Sequence, residues 1–180
     1  KVLGFKPPKY AHVSPIMKED EGGKRKLSKR KDPEAAVHYY AEQGYPADSV
    51  MEYLMTIANS DYEEWRRRNP QAPRGEFAFN LKKMSVSGAL FDINKLNDVS
   101  KTVIGAMDAQ TVTQSVLNWA REYDAEFYGL LSRDENYALG IFSIDRGGDK
   151  PRKDIAKWSD APAYASYFFD ETFKIEDDLP

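Results

Sequence analysis

The chain has 180 residues, 41% of them hydrophobic, and a formal net charge of −3, which is enough apolar material for one ordinary domain or two small ones with a core. A mean hydropathy of −0.68, with no apolar run near the roughly 20 residues that cross a bilayer, excludes a spanning helix and a membrane partner. A chain without cysteine holds no disulfide and no thiolate metal site, and the isolated His12 and His38 make no metal cluster, so no structural metal is expected.

The opening KVLGFKPPKY lacks the apolar core of a secretory signal, so a cytoplasmic location is expected. Lys1 in place of methionine points to a chain cut from a longer one. A pI near 5.5 argues against coating nucleic acid with the whole surface and leaves local basic stripes. These gather in KRKLSKRK, EEWRRR and DKPRKDIAK, while the final IEDDLP is acidic.

In chain order, Pro7 and Pro8 block a helix, YAHV (residues 10–13) fits a short strand, and Gly22-Gly23 marks a flexible turn. Asp32-Pro33-Glu34 reads as a helix start with Asp32 as N-cap and Pro33 in the first helical position. Val37, Tyr40 and Ala41 form the apolar stripe of that helix and Gly44 ends it. A second helix from Pro46 places Val50, Met51, Leu54, Met55 and Ala58 on one face, making an αα-hairpin. Asp61 is expected to cap a short helix through Trp65 that ends near Asn69-Pro70, followed by the loop PQAPRG.

After a loop around Ser87-Gly88, Asp92 caps a helix that turns Leu96, Val99 and Val103 inward and closes at Gly105. The clearest helix starts at Asp108, with Val112, Val116, Trp119 and Tyr123 on one face, and Phe127, Leu130 and Leu131 extend its stripe. NYALGIFSIDR reads as a further helix. Ser159 and Asp160 precede Pro162 and an aromatic helix whose Tyr164, Tyr167, Phe168 and Phe169 belong to the core. The fold class is therefore mainly α, helix bundles behind a short extended N-terminal segment.

Residues 22–34, GGKRKLSKRKDPE, carry six lysines and arginines around one serine. Composition alone favours a solvated charge run. A nuclear-import or loose nucleic-acid patch is a second reading. In a third, two ammonium groups flanking Leu27-Ser28 on a glycine-led loop close over a polyphosphate as charge develops on a leaving pyrophosphate, work that suits the flexible lysine stem.

Sequence context favours the third. KLSKR (residues 26–30) resembles the KMSKS signature of class I aminoacyl-tRNA synthetases, and PPKYAHVSPIMK before it and AEQGYPADSVMEYL after it resemble the glutamyl-tRNA synthetase branch. SVSGALFDINKLN (residues 85–97) is similar to the segment those enzymes place between the signature loop and the anticodon-binding part, and APAYASYFFDE to the end of their first helical anticodon-binding domain. The sequence departs from the family pattern in KDPEAAVHYY, where many relatives carry a His-Gly pair, and in SDYEEWRRRNPQAPRG.

The resemblance implies that residues 1–32 end a catalytic domain, that 33–106 form a helical domain on the acceptor-stem side of tRNA, and that 107–180 begin a helical anticodon-binding-type domain. The intact enzyme would be a glutamate–tRNA ligase, with glutamate, ATP and tRNA as partners and Mg2+ accompanying ATP. Lys29 and Lys26 would be its catalytic lysines, and Lys26, Ser28, Lys29 and Arg30 would meet the ATP phosphates. The family's HIGH-like signature has no counterpart before Lys26, so the chain alone is expected to be inactive and to bind neither ATP nor Mg2+. A glutaminyl or non-discriminating ligase is the alternative enzyme, and a non-catalytic RNA-binding helical module the alternative of another class.

Lys82 and Lys83 beside SVSG, and Lys150, Arg152 and Lys153 before Trp158, are candidate tRNA contacts. A charged linker ahead of a core tryptophan accounts equally for the second group. Arg66, Arg67 and Arg68 follow Glu63 and Glu64 at helical pairing distance, which explains much of that cluster without RNA.

Overall fold

A computed structural model describes residues 4–8, 10–148 and 150–174; Lys1 and the acidic residues 175–180 lie outside the described residues. Eight α-helices and one two-stranded sheet are present among them, so the fold is mainly α. The chain divides into two compact units, one of Lys1–Leu27 with Met55–Phe91 and one of Ser28–Leu54 with Asp92–Pro180.

The first unit holds the sheet, an antiparallel hairpin of β1 (Met17–Asp20) and β2 (Gly23–Lys26) in which Met17 pairs with Lys26 and Asp20 with Gly23. YAHV, the expected strand, is not a strand. MKED and GKRK lack the apolar alternation that signals one, and here the turn and the backbone ladder set the structure. Helix α3 (Tyr62–Arg68) forms where expected and stops at Asn69. Asp61 does not cap it through its side chain.

The apparently polar WRRR conceals this unit's aromatic cluster. Tyr62, fully buried, lies 5.0 Å from Phe77 and 5.6 Å from Trp65 between ring centroids. Arg66 covers Trp65 at 4.9 Å and donates to the carbonyls of Asn69 and Ala72, so its stem and charge both serve the fold. Arg67 and Arg68 pair with Glu64 at i,i+3 and i,i+4, as the spacing predicts.

The second unit is built around α5 (Ala109–Tyr123). Val112, Val116, Leu117 and Ala120 on α5 are buried with Phe127, Leu130 and Leu131 of α6 (Ala125–Leu131), Ala138, Ile141 and Phe142 of α7 (Glu135–Ser143), and Ala161 and Ala165 of α8 (Ala161–Ala165). Each fully buried branched or aromatic side chain is worth about 1.5–3 kcal/mol. Phe127, Leu130 and Leu131 do not continue α5, because Asp124 accepts from the Phe127 amide and starts a new helix. Tyr123 is exposed instead of inward, and Tyr167 is 67% exposed while Tyr164, Phe168 and Phe169 pack on the core.

Helix α4 (Ile93–Gly105) starts at Asp92, whose carboxylate accepts from the Asn94 and Lys95 amides, and α5 starts at Asp108, which accepts from Thr111. Leu96, Ser100, Ile104 and Gly105 are the buried residues of α4, with Val99 and Val103 half-buried. Arg146 donates to the carbonyls of Ile104, Met107 and Phe142, satisfying the ends of α4 and α7 with one guanidinium. The desolvation of that position lowers its pKa.

Helix α1 (Val37–Gln43) begins later than expected, after a 3-10 turn at Pro33–Ala35. Its stripe is not as expected either, since Val37 is 87% exposed and Ala41 is exposed, leaving Tyr40 half-buried. Gly44 ends it in the left-handed region at φ 78°. The closing carbonyls take donors from far along the chain: Glu42 from the Trp119 indole, Gln43 from the Ser159 hydroxyl, and Gly44 from the Trp158 amide. A Cβ on Gly44 would lie 2.8 Å from Trp158 Cβ, so this contact admits only glycine. In α2 (Ala47–Ala58) the buried positions are Ser49 and Tyr53, whereas Met51 is exposed.

Candidate functional site

The basic signature falls across the division of the chain, and each part has its own geometry. In the first unit, side chains alternate along β2. Arg25 is half-buried and its Nε donates to Asp20 at 2.5 Å, an ion pair within the hairpin. Lys24 and Lys26 are exposed, and neither makes an ion pair among the described residues.

The SVSG segment holds this hairpin in place. Met17 donates its amide to the Ala89 carbonyl at 2.8 Å, and the Phe91 amide donates to the Met17 carbonyl at 2.7 Å. Ser85 Oγ donates to the Gly88 carbonyl, and Ser14 Oγ to that of Val86. Gly88 has φ 88°, and a Cβ there would lie 2.4 Å from the Pro15 carbonyl oxygen and 2.7 Å from Met17 Cγ. Gly88→Ala is therefore expected to destabilise the first unit by about 1–3 kcal/mol. A lower melting temperature with faster exchange of the Met17 amide checks this, and an unchanged melting temperature would refute it.

In the second unit, residues 28–32 form a closed turn. The Ser28 carbonyl accepts from the amides of Lys31 at 3.0 Å and Asp32 at 2.8 Å, and the Ser28 amide donates to Asp32 Oδ2 at 2.9 Å. Lys29 and Arg30 sit at the tip, exposed, with no ion pair among the described residues. Ser28 thus closes the turn through its backbone. Asp32 occupies the expected N-cap position but makes no side-chain cap bond to the following turn. Sequence reasoning assigned it no role in the signature; the signal was its placement four residues after Ser28.

The candidate tRNA contacts separate by their partners. Lys83 lies 3.4 Å from Asp61, Arg152 Nε lies 2.6 Å from Asp154, and Lys153 donates to Thr102 Oγ1 at 3.2 Å. Lys82 and Lys150 are exposed and make no ion pair among the described residues. Trp158 is a core residue, so stacking on a base is closed to it. No three His, Asp or Glu side chains among the described residues converge to hold a metal ion, and no helix among them is long and apolar enough to cross a membrane.

No family model matches the chain. Curated proteins do. It is 57% identical over 175 residues to the glutamate–tRNA ligase of Clostridium beijerinckii and 55% identical over 175 residues to that of Clostridium perfringens, in each case 97% of this chain and 32% of the relative. The glutamate–tRNA ligase of Acetivibrio thermocellus is 47% identical over 178 residues, 99% of this chain and 33% of that protein. The chain thus spans about a third of the length of the curated relatives it matches.

Proposed function

Because this chain belongs with the glutamate–tRNA ligases over the third of their length that it spans, we propose that it works as part of an enzyme that activates glutamate with ATP and transfers it to tRNA. The observation that carries this reading is the turn at residues 28–32, which presents Lys29 and Arg30 to solvent while its own backbone groups are satisfied. An anion arriving there meets cations that have no competing carboxylate among the described residues.

Lys29 would stabilise the charge that develops on the phosphates in the adenylation transition state, with Lys26 assisting and Arg30 in contact with phosphate or loop. Ser28 would keep the turn closed. Magnesium would come with the ATP phosphates, which supply hard oxygen ligands themselves. Residues 33–106 would face the acceptor-stem side of tRNA and residues 107–180 would lead toward the anticodon. Lys82 and Lys150 are the cations best suited to backbone phosphates there, while Lys83, Arg152 and Lys153 would first have to leave their present partners.

Glutamate-dependent ATP–pyrophosphate exchange in the presence of tRNA tests the reading. A full-length ligase carrying this segment is expected to catalyse it and the 180-residue chain alone is not. Exchange by the pure chain, or none by the full-length protein with glutamate and tRNA, would overturn the proposal.

A further inference from the structure

We propose that Asp32 is the positioning residue of the signature turn: its carboxylate holds residues 28–32 closed so that Lys29 and Arg30 are aimed before ATP arrives, an inference that rests on the assignment of this turn to the ATP phosphates. The sequence Asp-Pro-Glu suggests a helix cap, yet no bond runs forward from the side chain into the 3-10 turn at Pro33–Ala35. The bond runs backward, to the Ser28 amide at 2.9 Å. The Asp32 amide in turn donates to the Ser28 carbonyl at 2.8 Å. Residues 28 and 32 are therefore tied in both directions, and residues 29, 30 and 31 form the arch between them.

Burial makes the tie firm. Asp32 is 1% exposed, and a buried carboxylate that gives up a hydrogen bond keeps its full desolvation cost. Releasing Ser28 is unfavourable for that reason, whereas the three arch residues remain exposed. Pro33 contributes by disfavouring helical geometry at the residue before it, and Asp32 is extended, at φ −125° and ψ 104°. A buried acid, a proline and a serine amide together fix an arch whose outward charges are all positive.

The test uses a full-length ligase carrying this segment and single-turnover adenylation at saturating ATP. Asp32→Ala is expected to slow adenylation by about 10- to 100-fold, the scale of a misplacement of the order of 1 Å, with the KM for glutamate within about 3-fold of the parent. Asp32→Asn, which retains an acceptor oxygen, should stay within about 3-fold. Combining Asp32→Ala with Lys29→Ala should be no slower than Lys29→Ala alone, because a positioning residue acts through the group it positions. Full speed in Asp32→Ala, failure of the asparagine to rescue, or additivity in the double variant would each overturn the proposal. If Lys29→Ala itself kept the parent rate, the assignment of the turn to ATP would fall and this inference with it. A slow Lys29→Ala beside a fast Asp32→Ala removes only the role of Asp32. Amide hydrogen exchange on the 180-residue chain covers the case of misfolding: Asp32→Ala should expose the Ser28 amide while the α5 amides stay protected. Loss of protection throughout would make Asp32 a residue of the fold and overturn the proposal.

Discussion

Lys29→Ala in a full-length ligase carrying this segment is expected to lower the single-turnover adenylation rate by about 10²–10³-fold, the usual effect of removing one donor aimed at developing transition-state charge. The physical reason is differential: an ammonium at the tip of a closed turn gains most when the leaving pyrophosphate takes up charge, and little in the ground state. The KM for glutamate should barely change. Lys29→Arg should recover only part of the rate, since a planar guanidinium cannot follow the phosphates as a compact ammonium does. The turn is closed by Ser28 and Asp32, so the loss should come without any change in melting temperature. A rate within a few-fold of the parent would dissociate the turn from the chemistry.

The second large effect is alkaline. Tyr45, 6% exposed, donates its hydroxyl to Asn97 Oδ1, and burial, reinforced by Tyr39 and Asp160, pushes its pKa up to about 12. Tyr53, 1% exposed, accepts from the Asp92 amide; burial again dominates and brings it to about 12 although that bond pulls the other way. Tyr40 is raised as well, first by burial. The unfolded chain ionises these phenols near pH 10 and the folded chain does not, so their stabilising contribution is whole below pH 10 and is lost as the pH rises toward 12. Stability should fall by about 1.4 kcal/mol per buried tyrosine for each pH unit across that window. Urea unfolding at pH 9 and pH 11 measures the loss, and Tyr45→Phe should make it shallower. Phenolate absorbance from all eleven tyrosines appearing together at pH 10 in the folded chain would refute it.

How much was legible in the sequence depended on whether a residue's partners were local. Asp92 and Asp108 could be identified as caps because each bonds to amides two or three residues on. Asp32 stands before Pro33 in the same pattern but spends its carboxylate on the Ser28 amide, and a cap rule looks only forward. Val37 fits a helical stripe by spacing, yet α1 buries little of its own surface; its end is fixed by Trp119, Trp158 and Ser159, which no local window contains. The hairpin was missed because MKED and GKRK are polar at almost every position, so the alternation that marks a strand was absent. The basic turn was recognised from its pentapeptide and from similar segments in order along the chain; its closure and the docking of Gly88 against Pro15 are matters of backbone geometry that composition does not record.

The long-range closure of α1 also sets an order of events in synthesis. Gln43 receives the Ser159 hydroxyl from 116 positions further on, a stretch that a ribosome adds in roughly 6–23 s at about 5–20 residues per second. Until then the Gln43 carbonyl of the nascent α1 lacks its native donor, and the Glu42 carbonyl has itself waited 77 positions for the Trp119 indole, so the basic turn just ahead of α1 emerges before that helix end is closed. Translation thus delivers the lysines early and their surroundings late, leaving an interval in which an exposed cationic segment beside an unfinished helix is open to chaperones and to any polyanion in reach.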